Sequence, residues 1–512
     1  MTINFDKVIE RRNTNCSKYD GMAASFGRND LLPLWIADMD FPVPEAVTEA
    51  IKRRAEHPIY GYNIFPQGYY EAFCAWEKKR HNWDVDPAWV WHTPGVLTAL
   101  STAILTFTKE GDGVLIQPPV YFPFRSTIEA LGRKVIDNQL RYEDGKFTMD
   151  FEDLAQKAAQ AKLFVFCSPH NPSGRVWTKE ELMRVHDICR KNELLVFSDE
   201  IHSDIVYKQH SHTVFAQLSD WALHHSIVAM APSKTFNLAG LEMSHITIAN
   251  DELRKQFQYY ERFGLHVANG NSFGLGAAQA AYEHGEDWYQ ALLSYLKENL
   301  DYLDGALKAR VPQVKLVYPE ATYIPILDMQ ALGMEPEALK HFVWDEVGAA
   351  LNAGTTFGPG GERFMRINVA TQRKNLELFI EKLARAMLED PSLQMGTLCY
   401  PVSAEQAQNP NLVKVVRARN GNALYFSRSP IPFPRSGGIA PQYFGHLGMY
   451  AYRRDFLMNF GNLPYSPLEN TEKLEQLRVL QAGIAIRVLE VEAMGPGVDT
   501  PEDLEEVRRI LM

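Results

Sequence analysis

Three short apolar runs, each ending in a polar residue of useful chemistry, constrain this chain most. "KLFVFCSPHN" ends at Asn171, "LLVFSDE" carries Asp199, and "SIVAMAPSK" ends at Lys234. The runs are short and rich in β-branched and aromatic residues, so they read as buried strands rather than helices. Between the first two lies "TKEELMRVHDICRKN", a helical pattern that Thr178 and Glu181 can open as a capping box. Strands alternating with helices predict an α/β fold built on a mostly parallel sheet with helices on its faces. Ligands of such sheets sit beyond the carboxyl ends of the strands, so the three polar residues should converge on one crevice.

Other signals extend the pattern. A helix is expected over 44–56, and "HTPGVLTALSTAILTFTKEGDGVLIQPPVY" reads as turn, helix, Gly-Asp-Gly break and short strand. Across 287–307 the leucines at 292, 296, 300, 303 and 307 form one apolar stripe, the mark of a core helix. Smaller strands and helices follow from about 310 to "NLELFIEKLARAMLED". Fresh signals then begin after a seam near 390–395. The expected division is an arm with part of a small domain (1–50), a large domain (51–290), the rest of the small domain (291–392) and a further segment (393–512).

Bulk properties narrow the function classes. At 512 residues the chain exceeds one average domain. A formal net charge of -11 argues against a nucleic-acid partner but not against small anionic ligands, which respond to local charge. Five cysteines without regular spacing fit a reducing compartment rather than a disulfide framework or zinc site. No run approaches the roughly 20 apolar residues that span a bilayer. The N-terminus "MTINFDKVIERRNTN" lacks an apolar signal core, so a cytoplasmic protein with no membrane partner is expected.

A lone lysine, aspartate or asparagine is most often a surface or turn residue. An acid and a lysine at adjacent strand ends also suit a pyridoxal phosphate site. There an amine captures the cofactor aldehyde and a carboxylate keeps the pyridine nitrogen protonated. Spacing by itself leaves both readings open.

The motifs carry more. "SPHNPSGRVWTKEEL", "VFSDEIHSDIVY", "APSKTFNLAGL" and "FMRINVA", in that order, resemble the fold-type I pyridoxal phosphate enzymes of the class I/II aminotransferase superfamily. More narrowly, they resemble the cystathionine β-lyase-type C–S lyases, with similar features from "LLPLWIADMDF" and "YGY" to about residue 390. The resemblance implies a large domain with a mostly parallel sheet, a small α/β domain, and the cofactor pyridoxal 5'-phosphate. It implies that Lys234 binds the cofactor and then moves the substrate Cα proton, that Asp199 pairs with the pyridine nitrogen, and that Asn171 bonds the phenolic oxygen. Tyr121 would stack on the ring. The phosphate would lie on the free backbone N–H groups at Val96 and Leu97, with the Ser233 hydroxyl added. Arg366 would clamp the substrate carboxylate, and His202 would support the cofactor or take part in catalysis. Tyr62 would reach the neighbouring subunit's phosphate, implying a homodimer with shared active sites. The implied reaction is β-elimination from a cysteine S-conjugate such as L-cystathionine; transamination shares its first half and stays open. Two departures favour the lyase branch. Ala231 stands where a phosphate-binding hydroxyl is usual, and "NLAGLEMS" lacks the arginine common in aminotransferases.

The last segment carries a separate resemblance. "NPNLVKVVRARNGNALYFSRSPIPFPR", "HLGMYAYRRDFL", "SPLENTEKLEQLRVL" and "GPGVDTPEDLEEVRRIL" are similar to the C-terminal half of 3-deoxy-manno-octulosonate cytidylyltransferase. This implies sugar-acid contacts from Arg428, His446, Glu475 and Gln476. Asp499 would be a magnesium ligand, the metal being expected only where the segment is functional. The nucleotide-binding half of such an enzyme is missing, so a remnant, an appendage or a piece that joins a separate half are all open readings. A sugar-linked aminotransferase is the alternative function of the whole.

Overall fold

The computed structural model describes residues 3–267, 270–388, 394–435 and 441–491. The chain divides into two units, Met1–Ala386 and Met387–Met512. The break falls just before the seam that the sequence places near 390–395.

In the first unit, helices α1 (Glu45–Glu56) and α2 (Gln67–His81) precede the main sheet. Among the described residues this sheet has seven strands: β1 (Val90–Thr93), β2 (Gly113–Ile116), β3 (Lys134–Asp137), β4 (Ala161–Cys167), β5 (Leu195–Asp199), β6 (Ser226–Met230) and β7 (Ser244–Thr247). Their spatial order is β1-β7-β6-β5-β4-β2-β3. The pairs from β3 through β6 are parallel, whereas β7 runs antiparallel to both its neighbours. Strands β4, β5 and β6 are buried along nearly their whole length, which explains their unbroken apolar runs: helices cover both faces. Register then decides the site. Cys167, Asp199 and Ala229 stand side by side on β4, β5 and β6. Asn171 and Lys234 follow Cys167 and Ala229 by a few residues, so both leave the sheet at the end where Asp199 sits.

Helix α3 (Val96–Phe107) follows β1 after Gly95, whose φ of +100° only glycine adopts easily. Helix α4 (Lys179–Lys191) opens with the expected capping box: Glu181 N donates to Thr178 Oγ1, and Thr178 N donates to the Glu181 carboxylate. Two helices close the large layer, α5 (Ser272–His284) and α6 (Glu286–Arg310). The leucine stripe of α6 is fully buried, as its spacing requires. A smaller antiparallel sheet follows, in the order β8-β9-β11-β10, from β8 (Lys315–Val317), β9 (Ile326–Asp328), β10 (Asn352–Ala353) and β11 (Phe364–Arg366). Helix α7 (Arg373–Leu388) comes last.

The second unit has its own core, including Met395, Cys399, Val415, Phe426, Leu477 and Ile486. Among its described residues five strands pair: β12 (Met395–Val402), β13 (Lys414–Arg417), β14 (Ala423–Ser427), β15 (Tyr443–Tyr452) and β16 (Ile486–Glu490). Their order is β14-β13-β15-β12-β16, antiparallel except for β12 with β16. All five cysteines of the chain are free thiols, and no described helix is long and apolar enough to cross a membrane.

Leu300 is completely enclosed in the middle of α6. Leu300→Ala should destabilise the first unit by roughly 2–5 kcal/mol through lost burial and a residual cavity. A lowered urea midpoint, followed by far-UV circular dichroism, checks this.

Candidate active site

A cavity of about 490 Å³ lies at the carboxyl end of β4–β6. Nine residues singled out in the sequence line it: Val96, Leu97, Tyr121, Asn171, Asp199, His202, Ser233, Lys234 and Arg366. Tyr62 does not; its side chain is 97% exposed on this chain.

Lys234 sits on a single turn, Pro232–Thr235, that caps β6. Its Nζ donates to the Ala37 carbonyl at 2.8 Å. Burial holds its pKa down at about 8; Asp38 opposes the shift and the Arg366 charge reinforces it. Asp199 ends β5, and burial pushes its carboxyl up to about 7 against a hydrogen bond from the Ile201 amide. The two groups titrate within reach of neutral pH, as acid–base chemistry requires.

Arg366 ends β11 and is buried. Its Nη1 donates to Asn171 Oδ1 at 3.1 Å, and its Nη2 donates to Asn352 Oδ1 at 2.7 Å and to the Trp35 carbonyl at 3.2 Å. The Phe357 ring lies 4.8 Å from its guanidinium carbon. Its Nε has no partner, and among the described residues no carboxylate pairs with it. Burial without a counter-ion lowers its pKa to about 10. Such a cation is prepared for an anionic ligand.

His202 is buried, and its Nδ1 is unpartnered. Burial first, then the Lys234 and Arg366 charges, lower its pKa to about 3, so it is neutral in the working range. Burial, with the nearby Asp199 charge, raises the Tyr121 hydroxyl above its usual value. Helix α3 has no side-chain cap, and its first two residues, Val96 and Leu97, line the cavity. Free N–H groups and the positive end of the helix dipole face that space.

Comparison with known proteins follows the same division of the chain. The model of the family "aminotransferase class I and II" matches residues 29–383. The chain belongs to that family. Cystathionine beta-lyase PatB of Bacillus subtilis is 41% identical over 388 residues, 75% of this chain and 100% of that protein. Cystalysin of Treponema denticola, whose crystal structure contains a pyridoxal 5'-phosphate cofactor, matches with a TM-score of 0.73 at 34% identity. The match covers 76% of this chain and 99% of that one. A cytidylyltransferase model matches residues 371–486. There, 3-deoxy-manno-octulosonate cytidylyltransferase of Escherichia coli is 53% identical over 132 residues, 26% of this chain and 53% of that protein. The C-terminal segment thus spans about half the length of that relative.

The second unit has a cavity of about 700 Å³, lined by His446, Glu475 and Gln476 together with Lys473 and Arg478. His446 faces Thr397 Oγ1 at 2.9 Å, and burial lowers its pKa to about 4. Arg428 is not among the walls: its Nε donates to the Glu472 carbonyl and its Nη1 to the Pro410 carbonyl. Asp499 lies outside the described residues. No cluster of potential metal ligands occurs among the described residues.

Several cavity residues escaped the sequence reading. Trp35, Ile36 and Ala37 come from "LWIADMDF", a stretch that drew notice but no role, because two of its contributions here are main-chain carbonyls. Asn352 comes from a two-residue strand in an unremarkable stretch, and only its pairing with Arg366 marks it.

In cofactor-free protein, Lys234 should react with an amine-selective acylating reagent with a midpoint near pH 8. Ordinary lysines titrate near 10.4. Peptide mass spectrometry across a pH series checks this.

Proposed function

We propose that this protein is a pyridoxal phosphate-dependent β-lyase acting on cysteine S-conjugates: the Cα–H and Cβ–S bonds break to release a thiol, and water hydrolyses the remaining three-carbon fragment to pyruvate and ammonia. The observation that carries the reading is the meeting of a depressed lysine, a buried aspartate and an arginine without counter-ion in one cavity.

The residues fit the cofactor. The uncapped start of α3 and the Ser233 hydroxyl suit a phosphate, Asp199 suits a protonated ring nitrogen, and Tyr121 offers a ring to stack on. Bound pyridoxal phosphate supplies an aldehyde for the substrate amine and a ring that takes up the electron pair left at Cα. The chain supplies the rest. Arg366 binds the substrate carboxylate and so fixes where Cα lies. Lys234, near pKa 8, is partly a free amine at neutral pH, and its Nζ takes the Cα proton. Asp199 holds its charge or proton against the ring nitrogen, while neutral His202 and the phenol of Tyr121 add hydrogen-bonding groups without net charge.

The division into arm, large domain and small domain belongs to the same proposal, as does a homodimer. Tyr62 stands in an exposed stretch with Ile59, Tyr60 and Ile64, and a second copy covering it would bring Tyr62 to the neighbour's phosphate end. For the C-terminal unit the proposal is binding of a sugar acid without transfer. His446, Gln476 and Lys473 offer polar groups in a cavity whose walls also carry Glu475 and the Arg478–Glu469 pair, and the match covers 53% of the transferase.

Two measurements test this. Wild-type protein given L-cystathionine should release thiol and pyruvate, and Lys234→Ala should lower that rate at least about a thousandfold, the scale of losing a general base. Conversion of an amino acid and a keto acid without thiol release would replace the lyase reading by transamination. Calorimetric titration with 3-deoxy-manno-octulosonate should show binding, with no CMP transfer when CTP and magnesium are added; silence with the sugar acid would make the unit a remnant.

A further inference from the structure

Asn352 and Arg366 are direct cross-strand partners on β10 and β11. Residues opposite each other in antiparallel strands have Cβ atoms about 5 Å apart, so the two side chains leave the sheet together, and both line the cavity. A guanidinium has only N–H donors, which fixes the amide: Asn352 Oδ1 must face Arg366 Nη2, at 2.7 Å. The Asn352 Nδ2 group therefore points the other way, and among the described residues it has no acceptor.

Asn171 holds Nη1 in the same manner from the opposite side. The guanidinium is thus gripped by two amide oxygens and one main-chain carbonyl, all neutral, while its Nε–H is buried without a partner. Neutral grips orient a cation without cancelling its charge. An aspartate at either position would neutralise the arginine that a substrate carboxylate needs.

Resting on the lyase reading above, we infer that Asn352 is a second carboxylate-recognition residue. Its Oδ1 positions Arg366, and its Nδ2–H donates to the carboxylate that Arg366 binds. The site therefore selects α-amino acids with a free carboxylate over their esters, through Asn352 as well as through Arg366.

The test uses holoenzyme and two probes that carry no β-leaving group, L-alanine and L-alanine methyl ester, with binding measured by isothermal titration. Asn352→Ala should weaken L-alanine about tenfold, the scale of one hydrogen bond to a charged group. Asn352→Asp should weaken it about a hundredfold, because the new carboxylate pairs with Arg366 and repels the ligand. Both variants should bind the ester within about twofold of wild type, which a merely structural defect would not allow. An unchanged ratio of acid to ester affinity in Asn352→Asp, or an equal loss for both ligands in both variants, would overturn the assignment. Turnover of L-cystathionine by the wild type, measured alongside, separates the two claims. With turnover and an unchanged ratio, the lyase reading stands and Asn352 falls; without turnover, both fall.

Discussion

Taking a lysine, an aspartate and an arginine out of water in one cavity carries an effective penalty of several kcal/mol per ion, and much of the first unit is arranged around meeting it. The segment 35–41 is the chief means. Its carbonyls accept from Arg366 at Trp35, from Asn368 at Ile36 and Asp38, from Lys234 and Tyr323 at Ala37, and from Asn237 at Met39 and Phe41. The same segment is pinned by Asp38 and Asp40, which pair with Arg11 and the fully buried Lys18. A stretch of main chain thus supplies the dipoles that solvate Lys234 and Arg366. Dipoles rather than carboxylates leave both cations free to act.

Behind the cavity, other buried groups hold the reactive residues in place. Thr235, next to Lys234, donates to Asp204 at 2.7 Å, and Asp204 also accepts from Trp76 and faces His81 on α2. Glu200, next to Asp199, accepts from Ser198 and Phe215 N and faces His212 at 2.6 Å. The neighbours of both reactive residues are therefore tied to helix α2 and to the stretch 212–215. This explains how a turn of four residues can hold Lys234 steady: its geometry is set by a buried carboxylate rather than by local propensity.

The parts of this architecture legible in the sequence are those with local causes. The unbroken apolar runs of β4–β6 follow from burial on both faces, the start of α4 from Thr178 and Glu181, and the inner face of α6 from leucine spacing. Convergence of Asn171, Asp199 and Lys234 follows once those strands are parallel and in register. The rest depends on partners far apart in the chain. Ala37 and Trp35 contribute carbonyls, which every residue carries, so composition cannot mark them. Asn352 gains its meaning only from its register opposite Arg366. Arg428 illustrates the converse: the resemblance implied a sugar-acid contact, whereas its guanidinium here donates to the main chain of Glu472 and Pro410.

The proton inventory of the cavity bears on which bond breaks. His202 is held neutral far below the working range, and the Tyr121 hydroxyl is raised above it. Asp199 and Lys234 lie nearest neutrality, at about 7 and about 8. If Asp199 keeps its proton shared with a ring nitrogen, Lys234 alone is left to carry one, and it has just received that proton from Cα. An alkoxide would have to take that proton from Lys234 in the act of leaving. A thiol ionises near 8.5, so a thiolate can leave with the single proton on Lys234 available afterwards. Sulfur at the β-position thus asks less of the Lys234 proton than oxygen does, which is the chemical distinction between a cysteine conjugate and a serine derivative.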